Sequence, residues 1–312
     1  MEMNELLQST GNHLSQLQEL SIGSTQKTAL LPRILQRNPK LKKLRIWDTP
    51  LNETESRDLY AALGILSSSS SGEIMYTGSC KMKELELDGL GYLPYLLPPP
   101  SGFPLLKRLV ILPSRSAASI RSDSTDHIIS ILFSHCPHLT SVVIPILSDG
   151  PILALANSCK LLEELDVVDG STITDAGLTI LSRNCPRLSK VALGSSSLLS
   201  DTSIEILIKA CGLRLSRLSL PFGSYSLSKS IIYLLMQYAP NLEAITNVSL
   251  SRVSFQELSD FVIHMKKLVI LGLCIGEPGG IVSPFGYGYL DRSRTDALKK
   301  VGRRLKQIIQ NG

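Results

Sequence analysis

A six-residue pattern, apolar-x-x-apolar-x-apolar, recurs along this chain and constrains its fold more than any other feature. Clear copies start at Leu17 (LQELSI), Leu41 (LKKLRI), Met82 (MKELEL), Leu106 (LKRLVI), Leu139 (LTSVVI), Leu162 (LEELDV), Leu188 (LSKVAL), Leu215 (LSRLSL) and Leu268 (LVILGL). Another, at Leu242 (LEAITN), places Asn247 where the third apolar residue belongs. From Leu139 onward the starts lie 23, 26, 27, 27 and 26 residues apart. Alternate residues of a strand face opposite sides. The first, fourth and sixth positions of each copy therefore point inward, and the third and fifth point outward. Between copies come stretches with apolar spacing of three and four, such as Ala176, Leu178, Ile180 and Leu181, or Ile204, Ile206, Leu207 and Ile208. Thr174 with Asp175, and Asp201 with Thr202, sit where a helix cap belongs. Each strand–turn–helix unit leaves an apolar edge that only a neighbouring unit covers, so the units must stack.

The expected fold is an α/β leucine-rich-repeat solenoid of about ten repeats, a right-handed superhelix with a concave parallel sheet and convex helices. Residues 1–12 form a short lead and 13–275 the solenoid, irregular to about 138 and regular over 139–275. Ser67 to Ser71 reads as a flexible low-complexity loop inside the first long gap. The prolines at 94, 98, 99, 100 and 104 exclude a helix over 91–104, and Ser114 to Ser124 is a polar insert. Residues 276–293 form a Gly/Pro/aromatic loop. Residues 294–312 form a basic capping helix, in which Leu298, Val301, Leu305 and Ile308 share one side from Asp296 to Ile309.

Composition narrows the function classes. Hydrophobic residues make up 43% but aromatics only 5%, so the core is aliphatic. Neither a secretory leader nor a run of roughly 18 apolar residues is present, so the chain is expected to be soluble and intracellular, cytoplasmic or nuclear. Cys80, Cys136, Cys159, Cys185 and Cys211 each precede a repeat strand by two to four residues, and no CxxC pair occurs. That repeated phase reads as a buried slot filled by a small apolar side chain, in preference to zinc or disulfides. Six basic residues against one acid in 294–312 equal the entire net charge of +5. Membrane-surface or nuclear-import use of that basic face is the alternative to capping. The five histidines form no HExxH, and neither a GxSxG nor a Walker loop occurs, so no catalytic residue, metal or cofactor is expected.

Residues 159–220 resemble the cysteine-containing class of leucine-rich repeat. The resemblance rests on Cys185-Pro186-x-Leu188 and Ile173-Thr174-Asp175-x-Gly177-Leu178, with weaker copies at Cys136-Pro137-x-Leu139 and Ala239-Pro240-x-Leu242. Proteins of this class are mostly the substrate-binding parts of F-box ubiquitin-ligase receptors, which implies a protein substrate and a cullin-type adaptor as partners. An F-box would precede the repeats. Here only 12 residues stand before the first repeat, and Leu31-Pro32-Arg33-Ile34-Leu35 runs straight into Asn38-Pro39-x-Leu41, so it reads as a repeat helix. Two functions stay open: a substrate receptor of F-box type, or a stand-alone scaffold or regulatory adaptor without a ligase link. In either case a monomer is expected.

The outward strand positions supply the candidate partner-binding surface: Lys43, Arg45 and Trp47; Glu84 and Glu86; Arg108; Glu164 and Asp166; Lys190; Arg217. Their mixed signs suit a protein partner, whereas a nucleic-acid groove would be dominated by Lys and Arg. Trp47 beside Arg45 is either a binding hot spot or packs over the end of the array or under the Ser-rich loop. Phe285, Tyr287 and Tyr289 in the 276–293 loop form a second candidate, or else they close the end of the core. The acidic sets around Glu84 and Glu164 lie three repeats apart and cannot converge on a metal ion.

Overall fold

The computed structural model describes residues 17–23, 38, 40–47, 66–68, 74–76, 81–88, 103–112, 123–221, 229–249, 253–274, 296, 298–300, 302 and 307–311. The chain divides into two compact units, residues 1–145 with 157–159, and residues 146–156 with 160–312. In the first, strands β1 (Glu19–Gly23), β2 (Lys43–Trp47), β5 (Glu84–Asp88) and β6 (Arg108–Leu112) lie side by side and parallel. β6 continues the ladder onto the start of β7 (Ser141–Ser148). Helix α1 (Asp123–Ser134) precedes β7. In the second, β8 (Glu164–Thr172), β9 (Lys190–Ala192), β10 (Arg217–Ser219), β11 (Ala244–Ser249), β12 (Ile270–Cys274) and β13 (Gln307–Asn311) form a parallel ladder in sequence order. This part includes helices α2 (Asp149–Ser158), α3 (Asp175–Asn184), α4 (Asp201–Cys211), α5 (Ser230–Tyr238) and α6 (Phe255–His264). Consecutive helices α3 to α6 pack on one another. Parallel strands joined by helices that pack in order are the architecture of an α/β leucine-rich-repeat solenoid.

The inward positions behave as their spacing requires. Leu44, Leu85, Leu109, Val142, Leu165, Val191, Leu218, Ile245 and Leu271 are all buried at the fourth position. The third and fifth positions are mostly half-buried or exposed, apart from Val110, Ser141, Ala244 and Gly272, which are covered. Cys136, Cys159, Cys185 and Cys211 are free thiols with no exposed surface. Cys159 and Cys211 do more than fill space. The Cys159 thiol donates toward the Phe133 and Cys136 carbonyls (3.6 and 3.3 Å), and the Cys211 thiol toward the Ser182 carbonyl (3.9 Å). Each thus serves carbonyls near the C-terminus of the preceding helix, where backbone acceptors lack intrahelical partners.

Carboxylates link successive helices in the second unit. Asp149, the first residue of α2, accepts from the Thr174 amide (2.9 Å) and hydroxyl (2.5 Å). Asp175, the first residue of α3, accepts from the Ser200 amide (2.8 Å), the Ser200 hydroxyl (2.6 Å) and the Ser203 hydroxyl (2.6 Å). Asp201, the first residue of α4, accepts from the Ser230 hydroxyl at 3.3 Å. Every acid also sits at the positive end of its own helix dipole. Gly177 completes the device, since a Cβ there would lie 2.1 Å from Asp149 Oδ1. The Ile-Thr-Asp-x-Gly-Leu motif is therefore the cross-repeat joint itself. Thr174 donates backward, Asp175 accepts forward, and Gly177 leaves room for the neighbour's carboxylate.

Several expectations need correction. The cap of α4 is Ser200, not Asp201 or Thr202, and its hydroxyl is engaged by Asp175 instead of by its own helix. Ala176 is exposed, while Gly177 and Ser182 take the buried positions beside Leu178 and Leu181. Ser67 and Ser68 belong to strand β3 (Leu66–Ser68), which pairs antiparallel with β4 (Ile74–Tyr76). The helix expected to run to Ile309 does not. Leu298 is buried and residues 298–300 are helical, but Gln307–Asn311 form strand β13 against β12. Leu305-x-x-Ile308 repeats the strand pattern with polar Gln310 at its sixth position, and the flanking basic residues make it look like an amphipathic helix. At Asn247 the strand carries a bulge: the register shifts between Ile245 and Val248, and Asn247 adopts φ 62°. The extra residue lets Val248 take the buried slot that Asn247 would have occupied. The Asn247 amide then donates to the Ser219 hydroxyl (3.1 Å) and the Leu220 carbonyl (3.0 Å).

Candidate partner-binding faces

The outward positions of each ladder form an open sheet face. On the first unit, register sets Lys43 beside Glu84, and Arg45 beside Glu86. Both pairs close as ion pairs, Lys43 Nζ–Glu84 Oε2 at 2.9 Å and Arg45 Nε–Glu86 Oε2 at 2.8 Å. Arg108 follows Glu84 in the same row and donates to the Ser141 hydroxyl at 2.8 Å. Sequence reading therefore found residues that the fold brings together but did not see that they neutralise one another. Such pairs are partly exposed, so each contributes on the order of 1 kcal/mol or less to stability. Their main effect is to fix side chains on the face. Trp47 ends β2 opposite Gly23; its side chain lies outside the described residues.

On the second unit, Glu164, Lys190 and Arg217 occupy one row across β8, β9 and β10, and Asp166 heads the next row. Arg217 is exposed, and Glu164, Asp166 and Lys190 are half-buried. Burial pushes the Asp166 carboxyl above its usual range, and the negative charge of Glu164 adds to the rise. Further along, the face becomes small and uncharged, through Ala192, Ser219, Thr246 and Gly272. Charge is thus concentrated on the first strands of this ladder. The aromatic loop residues Phe285, Tyr287 and Tyr289 fall outside the described residues.

Among the described residues, no group of three or more His, Cys, Asp or Glu could hold a metal ion, and no helix is long and apolar enough to cross a membrane. The buried thiols are chemically muted. Burial lifts Cys185 to about 12 against a smaller opposing effect of Lys160, and lifts Cys211 to about 11 against Arg214. A thiol that stays protonated is a poor nucleophile and a poor metal ligand.

No protein-family model matches this chain, and no curated protein sequence matches it. Solved structures do. A chain of the yeast Rad7 and Elc1 complex is 15% identical with a TM-score of 0.57, covering 98% of this chain and 82% of that one. The leucine-rich repeat-containing protein LegL7 from Legionella pneumophila is 12% identical with a TM-score of 0.46, covering 93% of this chain and 92% of its own. At 15% identity the likeness to the first of these concerns the fold alone.

Proposed function

We propose that this chain is a protein-binding leucine-rich-repeat module, the substrate-recognition part of an F-box-type ubiquitin-ligase system, with no catalytic residues or cofactor of its own. The observation that carries the binding reading is the charge pattern on the open faces. Cations and carboxylates alternate across neighbouring strands, as at Lys43, Glu84 and Arg108, and at Glu164 and Lys190. A face of alternating sign matches the mixed surface of a protein partner and sets its register, whereas a nucleic-acid site gathers cations. The ligase reading is supported by the repeat type, with Cys185-Pro186-x-Leu188 and Ile173-Thr174-Asp175-x-Gly177-Leu178. The likeness to a chain crystallised in a two-protein complex supports the binding reading alone. Cytoplasmic or nuclear residence and a monomeric state belong to the same reading.

One observation favours the second reading, a scaffold or adaptor without a ligase link. Asn38, which follows the Leu31–Leu35 segment, is buried; its side chain accepts from the Leu17 amide (3.1 Å) and its carbonyl from the Leu41 amide (3.0 Å). That ties it to the first strands as a repeat element. Affinity purification of the tagged full-length chain from its own cells, followed by mass spectrometry, separates the two. Recovery of a cullin and its adaptor supports the ligase reading, and reproducible prey without either leaves the scaffold.

A further inference from the structure

The strand-entry edge of the first unit carries a lysine patch that the open-face reading does not use. Lys42, Lys83 and Lys107 follow the first apolar residue of three repeats, in LKKL, MKEL and LKRL. The backbone aligns them: the Lys83 amide donates to the Lys42 carbonyl and the Lys107 amide to the Lys83 carbonyl, each at 2.8 Å. Strands lie about 4.8 Å apart, so three lysine backbones stand in one row at about that interval. Lys40 and Lys81 add two more cations, each one residue ahead of its repeat. All five lysines are exposed. Among the described residues only Lys42 has a side-chain partner, and that is the uncharged Gln18 at 3.0 Å.

Like charges placed directly across strands destabilise a sheet. Elsewhere on these strands the chain avoids the problem, since one residue further along Lys43 meets Glu84, and three further along Arg45 meets Glu86. Uncompensated lysines beside compensated ones leave a concentrated positive charge on this edge, complementary to an anionic partner. The patch is short, bounded by neutral Gln18 and Thr140 in the same row. Leu105 stands at the position equivalent to Lys40 and Lys81, and 44% of it is exposed. A phosphate track would extend further and favour aromatic platforms; a compact cationic row with one bare leucine fits a short acidic peptide carrying an apolar side chain.

We propose that the Lys42–Lys83–Lys107 edge, with Leu105, is a docking site for an acidic, leucine-bearing segment of a partner protein. This goes beyond the open-face reading and stands whether or not a ligase is recruited.

The test uses the full chain and a fluorescein-labelled peptide of alternating Glu-Glu-Leu triplets, read by fluorescence anisotropy. The charge-reversed variant K83E/K107E is expected to bind about tenfold or more weakly. The control K266E/K267E, with the same change of charge on exposed lysines of the second unit, is expected to bind as wild type does. K83Q gives a milder version, and a melting curve shows that each variant folds. Because K83Q relieves like-charge repulsion, its melting temperature is expected to stay level or rise. Equal loss in both double variants would mean that net charge alone drives binding and would overturn the proposal. So would undiminished binding by K83E/K107E. Failure of the peptide alongside Lys83-dependent binding of phosphatidylserine vesicles or single-stranded oligonucleotide would overturn it in favour of a phosphate ligand.

Discussion

Removing the Asp175 carboxylate should unfasten α3 from α4. Three hydrogen bonds converge on it, at 2.8, 2.6 and 2.6 Å, from the Ser200 amide, the Ser200 hydroxyl and the Ser203 hydroxyl. Bonds to a charged group contribute about 1.5–3 kcal/mol each when well shielded, and neutral ones about 1 kcal/mol. Asp175 is only half-buried, so water replaces part of what is lost. Ser203 also keeps its bond to the Ser200 carbonyl at 3.1 Å. The expected cost of Asp175→Ala is therefore about 2–3 kcal/mol. Urea unfolding followed by circular dichroism measures it, and hydrogen exchange should place the loss in α3 and α4. The pH dependence provides a second arm. Burial alone would raise the carboxyl, but the bonds from Ser200 and Ser203 outweigh it and hold the group below its usual 3.8. The unfolded state then binds the proton first as pH falls. The contribution of Asp175 is complete well above 3.8 and disappears as pH drops through the lower folded value. The gap between wild type and variant should be constant from pH 7 to about 5 and shrink below. A cost under about 0.5 kcal/mol, the range of ordinary surface changes, or a gap that ignores pH, would refute the joint.

Three further outcomes follow from the same geometry. Gly177→Ala should destabilise by about 1–3 kcal/mol through overpacking against Asp149, although alanine is normally the better helix former; in an Asp149→Ala background the same change should become neutral or stabilising, as thermal melts would show. Cys185 and Cys211, lifted to about 12 and about 11 by burial, should resist a thiol reagent at pH 8 in the folded chain and react fully in denaturant. Ser254→Ala removes a capping box in which Ser254 accepts from the Glu257 amide at 3.2 Å and Glu257 accepts from the Ser254 amide at 2.9 Å. It should cost about 1 kcal/mol and speed hydrogen exchange in α6. Glu257 is held down to about 2, first by the Ser254 amide and hydroxyl and then by Lys229, so the wild-type box should survive acidification to about that pH.

Much of the fold was legible because a strand's inward face is written in adjacent residues. Leu162, Leu165 and Val167 announce both the element and its orientation, and all three are buried. Features that depend on register between repeats were not legible. Asp149 meets Thr174, and Asp175 meets Ser200, across 25 residues, and no local pattern distinguishes such an acid from an ordinary helix-start residue. The ion pairs Lys43–Glu84 and Arg45–Glu86 were hidden for the same reason, although each residue was placed correctly on its strand. Asn247 looked like a defect because the period-two count assumes no bulge. β13 was missed because Arg303, Arg304 and Lys306 around Leu305 imitate a helix's polar side. The lysine row was visible in principle, as Lys at the second position of three repeats, but exposed lysines carry meaning only once their alignment and missing partners are known.

The claim that the open faces bind a protein is tested most directly by titrating the purified full chain against the partner recovered with it from cells. Wild type would be compared with Glu86→Lys on the first unit and with Glu164→Lys combined with Lys190→Glu on the second, after circular dichroism confirms that each variant is folded. The account predicts a loss of affinity of about tenfold or more in at least one of them. Unchanged affinity in both would contradict it.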